Sequence, residues 1–207
     1  MTTMKAYPKP QRLQFPDAQA RHEWLDYAFD AYYRADIGVA EGIIVEEGKG
    51  RKLACAKGCS NCCKSHTTIP IFPLELLGLY WYVTEEMLSD VRSKVKSQLE
   101  NHASGDPCPF LLDGACTVHP MRPLACRHFN VFGETCAEGE DAFYSRREDV
   151  LTPIKSHQDA AYEAMLPFHG FVTSEQKKEA MKSSYVQKQA RVLQEIDWAH
   201  LAARINT

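Results

Sequence analysis

Large apolar residues begin to recur at helical spacing just after the proline-containing stretch MTTMKAYPKPQRLQFP: Trp24, Tyr27, Phe29 and Tyr32 fall near one face of a 3.6-residue period. The pattern predicts a helix capped by Asp17 that continues to about Glu47, with Gly48 and Gly50 as its stop. A second apolar run, IPIFPLELLGLYWYV, has the length and leucine content of a buried helix over Pro73 to Val83. Pro70, Pro73 and Glu75 interrupt it, and it falls short of the roughly 20 residues that a bilayer span needs. From Thr84 to about Asn101, acids occupy the first turn and Met87, Val91, Val95 and Leu99 repeat at spacing four, which predicts an amphipathic surface helix.

The pattern then breaks. Residues 102 to 149 contain Pro107, Pro109, Pro120 and Pro123 with Gly105, Gly114, Gly133 and Gly139, which disfavours long regular elements. Two further helices are predicted over about 150 to 166 and 174 to 205, the second with Met181, Tyr185, Val192, Ile196 and Leu201 as a broken stripe. No repeat and no strand alternation stands out. The expected fold is mainly α, with helices packed around an irregular, metal-organised cysteine-rich centre. Three parts are expected: an N-terminal tail over 1–16, a cysteine-cluster metal-binding domain with flanking helices over 17–172, and a C-terminal helix over 173–207 packed on that domain.

Composition narrows the function classes. A 44% apolar content over 207 residues suffices for a core. The formal net charge of −3 gives no global field for nucleic acid, leaving only local basic patches at Arg146, Arg147, Lys177 and Lys178. The N-terminal stretch has no apolar core of signal-peptide length, so a cytoplasmic location is expected.

The chemistry concentrates in eight cysteines. Cys55, Cys59, Cys62 and Cys63 form C-x3-C-x2-C-C, and Cys108, Cys116, Cys126 and Cys136 follow as single residues. On a helix the first three would share a face; in a loop, which Gly58, Ser60 and Asn61 favour, they would wrap one centre. A zinc ribbon normally uses two close C-x2-C pairs, and only Cys59 to Cys62 has that form. An iron-sulfur cluster takes thiolates from several separate points, which suits this distribution better. A disulfide framework would need an oxidising compartment, and a thioredoxin-like pair would need a βαβ setting that the pattern lacks. The C-x3-C-x2-C spacing is also that of radical SAM enzymes, whose partial barrels the helical pattern opposes.

The segment CPFLLDGACTVHPMRPLACRHFN, residues 108 to 130, taken with CAKGCSNCC, resembles the YkgJ or CxxCxxCC family, bacterial cysteine-cluster proteins associated with zinc or iron chelation. The shared features are the run ending in Cys62 and Cys63, then Cys108, Pro109, Phe110 and Leu111, then Cys116, and finally Arg122, Pro123, Cys126 and Arg127. The first gap holds three residues where many members have two, and His119 replaces a usual aromatic. The resemblance covers about 55 to 130, leaving Cys136 outside it. It implies a bound metal, either zinc or an iron-sulfur cluster such as 4Fe–4S. It also brings in a relative that is an enzyme, the flagellin lysine N-methylase.

All eight cysteines are therefore candidate metal ligands near one centre or two adjacent ones, with Cys55, Cys59, Cys62 and Cys126 foremost. Cys62 and Cys63, being adjacent, should project differently. Arg122 and Arg127 could lie beside the thiolates or cap carbonyls in a proline turn, and His66, His119 and His128 are secondary candidates. Trp24, Tyr27, Trp81 and Tyr82 are expected in the core, and Glu134, Glu138, Glu140 and Asp141 in a solvated connection. The expected functions are metal binding with a redox or metal-handling role, a structural zinc scaffold for a protein partner, or a cluster-dependent modifying enzyme. No catalytic residue is assigned and no membrane span is expected.

Overall fold

The structure, a computed structural model, describes residues 9–206; residues 1–8 of the expected tail lie outside the described residues. It is mainly helical. The chain opens with α1 (Pro16–Arg21) and α2 (Trp24–Gly48). The one long helix expected here is broken at His22 and Glu23, and Asp17 lies inside α1 rather than capping it, because Pro16 already fixes the first helical turn. Leu25, Ala28, Phe29, Tyr32, Ala35, Val39 and Ile43 form the buried face of α2.

After α3 (Asn61–Ser65) and β1 (Pro70–Ile71), α4 (Pro73–Trp81) runs into a π-helical turn over Tyr82–Glu86, and α5 (Ser89–Glu100) follows. Thr84 therefore does not begin a helix. Its hydroxyl donates to the carbonyl of Tyr80 at 2.8 Å, which keeps it within the extended end of α4. The spacing-four stripe is real: Met87, Val95 and Leu99 are buried.

The irregular segment contains a short hairpin, β2 (Leu111–Leu112) with β3 (Ala115–Cys116), and the short helices α6 (Leu124–His128) and α7 (Ala142–Ser145). Next come α8 (Lys155–Met165) and α9 (Ser174–Lys182). Beyond them the expected helix over 174–205 is not continuous. Ser184 takes a left-handed conformation at φ 53, and the chain proceeds as α10 (Tyr185–Lys188), β4 (Arg191–Val192) and α11 (Ala199–Ala202). The broken stripe reflects this. Strand β4 pairs antiparallel with β1, placing Val192 opposite Pro70, and Leu193 donates its N–H to Ile69 at 2.8 Å.

The centre of the fold is apolar rather than cysteine-rich. Phe29, Leu74, Leu79, Trp81, Met121, Leu124, Met165 and Trp198 belong to one buried cluster, with Phe15 edge-on to Trp81 at 5.1 Å. Helices α2 and α8 approach closely because Gly38 has no side chain: a Cβ there would stand 2.5 Å from that of His157. The cysteines lie along a flank of this core, where burial of aliphatic and aromatic groups, not thiols, already holds the helices. Trp81 is buried, and Trp24, Tyr27 and Tyr82 pack against the cluster, as expected for core aromatics.

Candidate metal centre

The first cysteine run is part loop and part helix. Ala54 donates its N–H to Val131 at 2.8 Å, and the Val131 N–H donates back to Sγ of Cys55 at 3.3 Å. Gly58, at φ 87, then permits a turn in which the Cys59 N–H bonds to Ala56, leaving Cys59 exposed at the tip. From Asn61 the chain coils into α3, so Cys62 and Cys63 occupy consecutive helical positions and diverge by about 100°. They project differently, as expected.

The second run is joined directly to the first. The Cys108 N–H donates to the carbonyl of Cys63 at 2.8 Å. The hairpin follows: Asp113 and Gly114, at φ 50 and 76, form the tight turn that sets Cys116 opposite Leu111. Pro123 precedes α6, which carries Cys126. That helix is anchored by the fully buried Glu75, whose carboxylate accepts from the N–H of Leu124 at 2.6 Å and of Phe72 at 3.0 Å. One acid thus caps the starts of both α4 and α6. Burial pushes its carboxyl up to about 7, against the pull of those two N–H groups and of Arg127.

Cys136 is buried and held by the other side of α3. Its carbonyl accepts from the Asn61 amide at 2.6 Å, and Ser65 donates to the carbonyl of Glu140 at 2.7 Å. Glu140 is not merely a solvated acid. It accepts from the Ala137 N–H, the Ser145 hydroxyl and Nε of Arg146, each at 2.8 Å, and these donors hold its carboxyl down at about 2, Arg146 foremost. Arg146 also reaches Asp149, so the basic pair of the sequence is engaged within its own loop; Arg147 bonds the carbonyl of Val150.

All eight cysteines are free thiols. They fall into two neighbourhoods. Cys108 belongs to the main apolar cluster, with Cys63, Cys116 and Cys126 packed against it, whereas Cys136 belongs to a smaller cluster with Val131, Ala142 and Val150 against which Cys55 packs. The thiols raise one another's pKa values as well as being desolvated. Burial pushes Cys55 to about 11, a thiol hydrogen bond with Cys108 and then burial push Cys63 to about 12, and Cys62 rises through its hydrogen bond to Cys63. Cys126 keeps some surface in solvent, yet its thiol is enclosed and is driven well up by burial. Without a cation the thiols raised in this way are protonated at neutral pH. Among the described residues, no three His, Cys, Asp or Glu side chains already converge on one ion position. The donor chemistry nonetheless fits zinc or an iron-sulfur cluster, because soft thiolates are the preferred ligands of both.

Arg127 is buried and makes the carbonyl contacts of a turn: Nε donates to Arg122 at 3.0 Å, Nη2 to Pro120, and Nη1 to Asp36 at 2.6 Å, with the guanidinium 4.1 Å from the Tyr32 ring centroid. Its charge and that of Arg122 still act against the burial that raises the Cys116 thiol. Both sequence-level readings of these arginines therefore hold in part. Two of the histidines have side-chain neighbours other than thiols. His66 packs edge-on to Phe129 with Nε2 3.1 Å from Asp141 but out of hydrogen-bond alignment, His119 lies against Arg122, and burial pushes His128 down to about 4. Sequence reasoning missed Glu75, Asp36 and Asn61 as supports. For Glu75 the signal was a lone acid inside an apolar run, three residues after Phe72 at the helix start.

The fold and its thiol-lined flank define a helical cysteine-cluster domain. The model of the CxxCxxCC family, described as "Putative zinc- or iron-chelating domain", matches residues 54–158, half of the chain, and the chain belongs to that family. The match takes in Cys136, which the resemblance over 55 to 130 left outside. No curated protein and no solved structure matches the chain. Among the described residues, no helix is long and apolar enough to cross a membrane.

Proposed function

We propose that the chain is a metal-binding protein whose cysteines hold an iron-sulfur cluster or zinc, and that the bound metal centre is its functional group. The observation that carries this reading is the assembly of eight free thiols, drawn from 82 residues of sequence, with Cys108 and Cys136 each tied to the short helix that bears Cys62 and Cys63. Isolated buried cysteines would need no such joining of Cys108 to Cys63 or of Cys136 to Asn61. A cluster is favoured over zinc because one run and four separate single positions supply the thiols, rather than two paired knuckles.

The ligating role of individual cysteines follows from that reading. Binding removes protons from thiols that are otherwise protonated, so affinity rises with pH. Bound thiolate carries negative charge, which Arg122 and Arg127 offset from the α6 side. The test is metal and sulfide analysis, with an absorption spectrum, on protein purified without oxygen. Iron with matching sulfide and a brown chromophore supports the cluster, and zinc in a colourless sample supports the scaffold variant. Protein that carries neither metal and takes up neither when reduced would remove the reading altogether.

A further inference from the structure

We propose that the eight thiols form two separate four-thiol sites divided at the Cys62–Cys63 peptide: one of Cys55, Cys59, Cys62 and Cys136, the other of Cys63, Cys108, Cys116 and Cys126. This rests on the metal-binding reading and adds the number of sites and their membership.

Three observations divide the set. The apolar packing is the first, since Cys63, Cys108, Cys116 and Cys126 share the main cluster while Cys55 and Cys136 share the smaller one with Val131. Proximity among the sulfurs is the second. Cys55 lies near Cys59, Cys62 and Cys136, and Cys136 near Cys59 and Cys62, whereas Cys63 lies near Cys108, Cys116 and the adjacent Cys62, and Cys126 near Cys62, Cys63 and Cys116. The third is the backbone. Cys108 is tied to Cys63 itself, and Cys136 to Asn61 on the other side of the vicinal pair.

Cys62 sits at the seam. Cys116 and Cys126 also neighbour it, and its thiol bonds to Cys63. It is assigned to the first set because Cys55, Cys59 and Cys136 supply only three thiols, whereas the second set has four without it. Consecutive helical positions diverge by about 100°, which turns the two sulfurs toward different centres. Four thiolates complete either a tetrahedral zinc site or a cubane cluster, so both sets are closed by count. The first set contains the exposed Cys59, whereas every member of the second is at least partly buried.

The test is titration of the reduced, metal-free full chain with Co²⁺ alone under argon. Thiols left unprotected are then alkylated in a short pulse and mapped by mass spectrometry. The expected result is two ions per chain at saturation. At one equivalent, chains carrying four alkyl groups should appear, and the protected cysteines should be one named set or the other. Protection of all eight as a unit, or four-thiol sets that mix members, overturns the partition while metal binding stands. No uptake of Co²⁺ overturns the partition, and the metal-binding reading then stands or falls on the metal and sulfide analysis of the purified protein. Because the readout uses the unmutated chain, loss of folding in a cysteine variant does not enter.

Discussion

Nη1 of Arg127 donates to Oδ2 of Asp36 at 2.6 Å, locking α6, which carries Cys126, onto the middle of α2. The arginine is buried and Asp36 is partly exposed, so the pair works as an anchor for one side of the thiol region. Arg127→Met keeps the bulk but leaves Asp36 and the carbonyls of Pro120 and Arg122 without their donor. The expected cost is about 3 kcal/mol, the low end for breaking a buried pair because Asp36 retains water. Arg127→Lys should recover only part of this, since one ammonium cannot replace the fork. Urea unfolding of the three proteins checks it, and a methionine variant as stable as the parent would refute the anchoring role.

Glu75 makes a pH prediction. Its carboxyl stands at about 7 in the fold against an ordinary 4.5, so between those values the folded chain holds a proton that the unfolded chain has released. Stability contributed by this group is complete below pH 4.5 and is lost as pH rises toward 7, by about 3 kcal/mol at 1.36 kcal/mol per pH unit. Glu75→Gln removes the titration. The difference in unfolding free energy between parent and variant should therefore shift over pH 4.5 to 7 and level off on either side. Thiol and metal effects are common to both proteins and cancel in that difference. Parallel curves would mean that the carboxylate is ionised throughout.

Gly38→Ala tests the α2 and α8 contact. The added methyl would meet the His157 Cβ at 2.5 Å, a point on the opposing helix rather than the end of a flexible side chain. Overpacking costs about 1 to 3 kcal/mol, and the better helix propensity of alanine returns about 1. A net loss of up to about 2 kcal/mol is expected, read as a lower melting temperature. Gly48→Ala is the control, because nothing lies within 4 Å of its would-be Cβ.

Helices whose apolar residues repeat over many positions were legible in the sequence: α2, α4 and the stripe of α5 lie where periodicity puts them. Two kinds of feature were not. The break at Ser184 depends on a single non-glycine residue in a left-handed conformation, and the pairing of β4 with β1 joins residues over 120 apart, which no local pattern encodes. Around the thiols, the vicinal pair and the Pro-Phe-Leu motif identified the region, and the Asp113–Gly114 dipeptide carried a hairpin signal. Which cysteines neighbour which depends on tertiary hydrogen bonds such as that from Cys108 to Cys63. The sequence grouped Cys126 with Cys55, Cys59 and Cys62; in the fold it packs against the main apolar cluster as Cys63 and Cys116 do, and lies near Cys62, Cys63 and Cys116.

Metal removal should act unevenly on the fold. Residues 54 to 67 and 102 to 141 have only short elements and few ladder hydrogen bonds, and their apolar contacts are partly contacts of the cysteines themselves. Thiolate metal sites supply about 10 to 16 kcal/mol of apparent binding energy, more than the net stability of many domains, so order in these segments depends on it. Helices α2 and α8 meet at Gly38 and His157 and carry buried members of the main apolar cluster such as Phe29, Tyr32, Ala161 and Met165, and neither helix bears a cysteine. On chelation, amide hydrogen exchange is expected to accelerate at least tenfold through the two cysteine-bearing segments, equivalent to a loss of about 1.4 kcal/mol of local protection, while α2 and α8 change little. Uniform acceleration would show that the metal holds the whole fold, as expected of a cysteine-organised centre. No acceleration would place the metal outside the forces that order the thiol region.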